Sequence, residues 1–261
     1  MSPHSFVVPA YGVSPHLPAC LASLREQTVP SRIVVTTSTP STALERTVAA
    51  SGVDLVVNPV AQGAAADWTF ALQQGTTPWV TLAHQDDRYR PAYTKGCLAA
   101  AQAAPDSLIV FTDYDEETAG GVRPFAVNLL IKRLMLRPFF LRAASIRSPR
   151  ARRQLLALGC PIPCPTVMFN RERLAAFRFE PAFTVNMDWD AWLRLAAMPG
   201  AFTRVPERLV VHRIHDDSET TTALSERRRQ DEDRRIFERL WPRPVAALLA
   251  RLYARSYASN R

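Results

Sequence analysis

Up to about residue 115 the chain alternates between two kinds of segment, and that alternation restricts the fold more than any other feature. Short apolar runs, SFVVPA (5–10), RIVVTT (32–37), VDLVVN (53–58), WVTLA (79–83) and SLIVFTDYD (107–115), are separated by stretches of helical spacing at 14–27, 41–51, 64–75 and 91–104. Each run has strand length and is apolar nearly throughout, as strands are when helices cover both faces of a sheet. The expectation is an α/β chain of βαβ units around a mostly parallel sheet. Ser14 is expected to cap the first helix, with Pro15 in its first turn. Ligands of such sheets bind beyond the carboxyl ends of the strands. PAY (9–11), TTST (36–39) and HQDD (84–87) all fall there.

After residue 115 the alternation fades. Residues 123–159 mix helical apolar spacing with arginines, and TVMFNRERLAAF (166–177) reads as a strand edge running into a helix. DWDAWLRLAAMPG (188–200) reads as a helix stopped by Pro199-Gly200. FTRVPERLVVHRIH (202–215) gives extended pieces interrupted at Pro206, and the tail from Ser225 is helical with a break at Pro242. A length of 261 residues suits one large α/β domain with a small appendage.

Charge narrows the choice of ligand. The net charge is +8, and from Thr118 to Arg171 there is no Asp or Glu, while nine Arg and Lys residues fall between 123 and 153. Such a field attracts phosphates, of nucleotides, nucleic acid or anionic lipid. No zinc-finger, homeodomain-like or RNP pattern appears, so nucleic acid is the weakest of these. No G-x-G-x-x-G follows the first strand and no P-loop occurs, which argues against a dinucleotide fold and a P-loop nucleotide site. No long uncharged apolar run and no signal-like leader is present, so a cytoplasmic protein is expected. Four cysteines then read as free thiols. Cys160 and Cys164 with His212 and His215 offer a zinc set on paper, against the plainer reading of two semi-buried thiols.

Three constellations carry chemistry. Asp86 and Asp87 end a core strand, where their mutual repulsion is relieved either by solvation at a helix start or by a divalent cation with oxygen ligands. Asp188 and Asp190 open a helix, either as capping acids favoured by the helix dipole or with Asp188 as a general base whose cleft is walled by Trp189 and Trp192. Arg213 and His215 share a face after a strand, a pairing that suits a phosphate clamp and a metal ligand.

In this order, VVPAYGVSPHLPACLASLREQT, HQDD, MDWDAWLRLA and HRIHDDS, the chain resembles the inverting bacterial family 2 glycosyltransferases of GT-A fold, from about Phe6 to about Thr221. The resemblance implies a Rossmann-like, mostly parallel central sheet flanked by helices. It implies a domain over 1–221, with a nucleotide-binding half of about 1–115 and an acceptor-side half of about 116–221, then a helical extension over 222–261. It places Pro9, Ala10 and Tyr11 against the nucleotide base and ribose, and Asp86 at the ribose or metal. Asp87 and His215 become metal ligands, Arg213 stands beside the diphosphate, and Asp188 is the base that deprotonates the acceptor. The sequence departs from the family pattern where an Asp usually meets the base: Thr36-Thr37-Ser38-Thr39 stands there, with Thr37 as the substitute. Asp67 falls where an arginine-asparagine pair is common, as a further donor-side candidate.

The implied activity is metal-dependent transfer of a hexosyl or related sugar, with inversion. The donor is a nucleotide-diphosphate sugar held with Mn2+ or Mg2+, and the acceptor is a growing surface glycan or a lipid-linked glycan. The basic 123–153 segment would either close over the acceptor or touch an anionic membrane from the cytoplasmic side. The alternatives are a catalytically inactive nucleotide-binding or membrane-docked assembly module, and a sugar-phosphate nucleotidyltransferase, which would need a Gly-rich phosphate loop that PAYGVSPHLPACL lacks.

Overall fold

The structure is a computed structural model that describes residues 2–60, 62–214 and 223–258. In chain order the elements are β1 (His4–Ala10), α1 (Leu17–Arg25), β2 (Arg32–Thr37), α2 (Thr42–Ala50), β3 (Asp54–Val57), α3 (Ala64–Gln74), β4 (Trp79–Leu82), β5 (Arg88–Tyr89), α4 (Tyr93–Ala103) and β6 (Ser107–Thr118). There follow β7 (Gly121–Arg123), α5 (Val127–Phe140), β8 (Ser145–Ile146), α6 (Pro149–Leu155), β9 (Val167–Asn170), α7 (Met187–Ala196), β10 (Ala201–Arg213), α8 (Ala223–Leu240) and α9 (Arg243–Ala258).

One sheet runs β3-β2-β1-β4-β9-β6-β10-β5. Strands β1 to β4 are parallel neighbours, and β10 runs parallel to β6. Strand β9 lies antiparallel between β4 and β6. The near-continuous apolar character of β1 is explained by its two faces. Phe6 and Val8 enter a core cluster with Leu17, Leu21, Tyr93 and Cys97, while Val7 points to a second cluster with Leu72, Phe169 and Trp192.

Several local expectations need correction. Helix α1 begins at Leu17 with His16 at its cap; Ser14 Oγ instead accepts a hydrogen bond from His16 N at 3.2 Å, and Pro18 occupies the first turn. Strand β9 is central, not an edge, and turns rather than a helix follow it at 171–176. Strand β10 continues through Pro206, because the register shifts between Val205 and Arg208 leave the proline out of the ladder. Trp189 and Trp192 are fully buried and do not wall the cleft. Their indole N–H groups donate to Leu156 O (3.0 Å) and Ile162 O (2.8 Å), locking α7 onto the segment between α6 and β9.

The acids of β6 consume arginines from several parts of the chain, Arg133 of the basic segment among them. Asp113, Asp115 and Glu117 alternate along β6 and so share one face. Arg133 meets Asp113 at 2.8 Å, Arg90 and Arg208 meet Asp115 at 2.6 and 3.2 Å, and Arg213 meets Glu117 at 2.8 Å. The Asp-x-Asp spacing at 113–115 is therefore saturated by guanidinium groups. Arg147 pairs with Asp106 at 2.8 Å, and Arg152 is buried with one N–H on Met198 O at 2.7 Å.

Helices α8 and α9 belong to the second core cluster, where Ile236 and Phe237 are buried and Phe237 meets Trp189 edge-on at 5.2 Å. The buried Glu232 of α8 accepts from Thr184 N (2.9 Å), Thr184 Oγ1 (2.9 Å), Val185 N (3.0 Å) and Asn186 N (2.9 Å). The neighbouring Asp233 accepts from Asn186 Nδ2 at 2.8 Å. Asn186 is the residue before α7, so these two carboxylates fix the point from which that helix starts. Asp190, also buried, is held by Arg194 (2.9 Å) and Arg239 (2.5 Å), which ties α7 to α8 again. Replacing Glu232 by Ala strands several donors in the interior, so Glu232→Ala should lower unfolding stability by about 3 kcal/mol. Urea titration checks this, and a change within error of zero would show that the clamp holds nothing.

Candidate active site

A cavity of about 1450 Å3 opens over the carboxyl ends of β1, β2 and β4 and extends beneath α5, α8 and α9. Pro9, Ala10, Tyr11, Thr37, Asp67, Asp86, Asp188 and Arg213 all line it. Asp87 lies behind its wall, fully buried, and His215 lies outside the described residues.

On the β1 and β2 side, the Gln85 amide both accepts from Tyr11 N and donates to Tyr11 O, each at 3.2 Å, so the ends of β1 and β4 are stapled together. The Tyr11 ring itself is exposed and open to a partner. Thr37 Oγ1 accepts from Thr39 N at 3.0 Å, and Thr39 Oγ1 accepts from Gly12 N at 2.9 Å. Asp67, in the first turn of α3, accepts from Ser38 Oγ (2.7 Å) and Asn58 Nδ2 (2.9 Å). A carboxylate thus stands beside the hydroxyl-rich β2 end after all, delivered by α3 rather than by β2 itself. The sequence signal was available: Asp67 sits where a helix start follows the third strand.

The end of β4 carries His84, Asp86 and Asp87, and one ligand-capable atom from each lies within 4.8 Å of the others. The Asp87 Oδ1 atom accepts from Arg213 N at 2.9 Å and is paired with His212 Nδ1 at 2.9 Å. Its Oδ2 atom is buried without a hydrogen-bond partner, as is His84 Nε2. Burial pulls the His84 imidazole down despite the nearby carboxylates, which keeps it neutral and able to donate a lone pair. For His212 burial works in the same direction, but the Asp87 carboxylate outweighs it and the net shift is upward. Two orphaned buried acceptors beside a cavity carboxylate are what a divalent cation would satisfy. His84 was not among the site residues expected from the sequence; its position two residues before Asp86, at the first polar site past the strand, was the clue. The Arg213 guanidinium reaches Asp86 O at 3.2 Å as well as Glu117, so it braces the same corner.

On the opposite side Asp188 lies in the first turn of α7 and lines the cavity. Burial raises its carboxyl above the ordinary aspartate range, offset in part by the Trp189 N–H, which donates to Oδ1 at 2.7 Å. Nearby on the cavity wall, Lys132 donates to the Tyr114 phenol at 2.8 Å and has no carboxylate in an ion pair among the described residues. That cation was lost in the sequence among the arginines around it. Cys160 and Cys164 are free, and burial pushes both thiols upward, so they stay protonated. With His212 turned to Asp87, the described residues form no zinc set around these thiols.

The family model described as glycosyl transferase family 2 matches residues 5–175. No curated protein matches the sequence. Among solved structures, S. aureus TarS 1–349 is 15% identical with a TM-score of 0.63, over 89% of this chain and 64% of that one. The same fragment in complex with UDP-GlcNAc also gives 0.63 at 15% identity, over 89% and 65%. The mannosyltransferase PcManGT from Pyrobaculum calidifontis, in complex with GDP-Man and Mn2+, is 16% identical with a TM-score of 0.62, over 96% and 69%. The chain thus spans about 64% of the TarS fragment. At such identities the likeness speaks for the fold, a mostly parallel α/β sheet with C-terminal helices, as in GT-A glycosyltransferases. The family match, over well more than half of the sequence, says more: this chain belongs to glycosyl transferase family 2.

Proposed function

We propose that the protein transfers a sugar, with inversion, from a nucleotide-diphosphate sugar to a hydroxyl of a surface glycan or glycolipid, at the cytoplasmic face of a membrane. The observation that carries this reading is the shared cavity: it joins the β1/β2 loops, the His84–Asp86–Asp87 corner and Asp188. Its volume exceeds the usual span for a single small ligand of about 300–1,000 Å3, which leaves room for donor and acceptor together. The relatives with UDP-GlcNAc and with GDP-Man and Mn2+ support a nucleotide-sugar and a metal.

In this reading the base and ribose lie along Pro9, Ala10 and Tyr11, with Thr37 and Asp67 at the base. His84, Asp86 and the unpartnered Oδ2 of Asp87 would hold the cation, and Arg213 steadies that corner. The imidazole in the donor set favours Mn2+ over Mg2+, a hard ion that keeps oxygen ligands and its own waters. Held there, the cation would supply stabilisation of charge on the departing diphosphate. Asp188 accepts the proton of the acceptor hydroxyl as it attacks the anomeric carbon. A single displacement with the base opposite the leaving group inverts that carbon. Asp188 suits the task because burial raises its pKa, which strengthens its carboxylate as a base.

Asp188→Asn should lower kcat by about a hundredfold to ten-thousandfold with donor affinity nearly unchanged. A variant that still turns over would remove Asp188 from the role. The base acts only when deprotonated, so kcat should fall as pH drops through a limb lying above the ordinary aspartate range; a limb at or below that range would contradict the burial seen here. Asp86→Ala should abolish the Mn2+-dependent part of nucleoside diphosphate binding measured by calorimetry. Binding that is identical with and without EDTA in the native protein would end the metal assignment.

A further inference from the structure

Helix α5 is apolar on both of its sides. Leu129 and Leu136 are buried in the cores, yet Val127, Leu130, Ile131, Leu134 and Leu141, at helical-repeat spacing on the other side, are exposed, Leu134 by 67%. A water-facing helix of a soluble protein carries polar residues on that side. Helix α9 repeats the pattern: Ala246 is buried while Val245, Leu248 and Leu252 are exposed. The two helices are neighbours across Gly159. A Cβ there would lie 3.0 Å from the Tyr253 ring of α9 and 3.4 Å from Met135 Cε of α5, and the φ of +155° itself favours glycine.

Both exposed faces run into the cavity, which Ile131 of α5, Leu252 of α9 and the exposed Leu158 between them help to line. The arginines on and next to these two helices are not spent internally. Arg137, Arg142, Arg243 and Arg251 are exposed, and none is in an ion pair among the described residues. Between Thr118 and Arg171 no carboxylate offsets them.

The geometry points to an anionic lipid bilayer as the occupant of this surface: α5 and α9 lie flat in the headgroup layer, with the apolar end of the cavity opening onto it. An apolar face rimmed by cations is the pattern of an interfacial helix. No helix among the described residues is long and apolar enough to cross a membrane, so the contact is a docking and not a span. The assignment rests on the glycosyl-transfer reading only for its purpose, delivery of the catalytic cavity to a membrane-borne acceptor. The lipid contact itself stands on the two helix faces.

Flotation of the full chain with phosphatidylcholine vesicles, with and without phosphatidylglycerol, tests it. The native protein should float with the anionic vesicles, weakly with the neutral ones, and less as ionic strength rises. Leu134→Glu combined with Leu248→Glu, at exposed positions outside the cavity lining, should reduce the bound fraction roughly tenfold or more, with the thermal midpoint unchanged. Arg137→Gln with Arg142→Gln should weaken binding without touching the apolar face. Absence of flotation with anionic vesicles, or binding that survives the paired glutamates, overturns the proposal. So does sedimentation velocity showing a dimer that the same glutamates disperse, since the face would then be a contact between copies. Donor hydrolysis in vesicle-free solution separates the two claims: a protein that floats and hydrolyses no nucleotide-sugar keeps the docking and loses the glycosyl-transfer reading.

Discussion

A fully buried carboxylate with one oxygen engaged and the other left over is the constraint on which the site depends. Asp87 Oδ1 ties the end of β4 to His212 and Arg213 at the end of β10, more than a hundred residues later in the chain. Leaving Oδ2 buried and unpartnered is expensive for a folded protein. Two neighbouring groups, Asp86 and the orphaned His84 nitrogen, stand beside it. The cation proposed for this corner would satisfy all three at once. A cost in stability of this kind is expected where a site is built for chemistry.

The rest of the molecule can be seen as two supports for that corner. The parallel strands β1, β2 and β4 end at one level and hold one side of the cavity, with the Gln85 staple and the Ser38–Asp67–Asn58 network fixing the loops. The other side is built from β10, α7 and the C-terminal helices. Here Glu232 and Asp233 seize the backbone and side chain just before α7 and so fix where Asp188 points. The matched family segment ends at residue 175, before Asp188, β10 and both C-terminal helices.

What the sequence revealed and what it hid follow from range. The β-α alternation is a local pattern, and strands such as SFVVPA and helices such as 64–75 were legible because apolar period and Gly or Pro punctuation are written within a dozen residues. The place of β9 in the middle of the sheet was not, since a four-residue strand between a loop and a run of turns carries no mark of its neighbours. The same holds for the site. The paired Asp86 and Asp87 were visible as a repulsive pair at a strand end. Their division of labour, one lining the cavity and the other locked to His212, depends on contacts with β10 that no local window contains. Trp189 and Trp192 looked like a cleft wall because aromatics beside an acid suggest one. Helical periodicity turns them to the core instead, where their N–H groups find carbonyls. The basic stretch was read as a surface field, but Arg133 is spent on the acids of β6 and Arg147 on Asp106, and that pairing too is long-range.

Electron spin echo spectroscopy of the protein with Mn2+ and a nucleoside diphosphate tests the cation corner most directly. The account expects one bound ion showing nitrogen-14 modulation from a coordinated imidazole, lost in His84→Gln and retained in His212→Gln. A protein that binds the nucleotide with no bound Mn2+, or whose nitrogen signal survives the loss of His84, would contradict it.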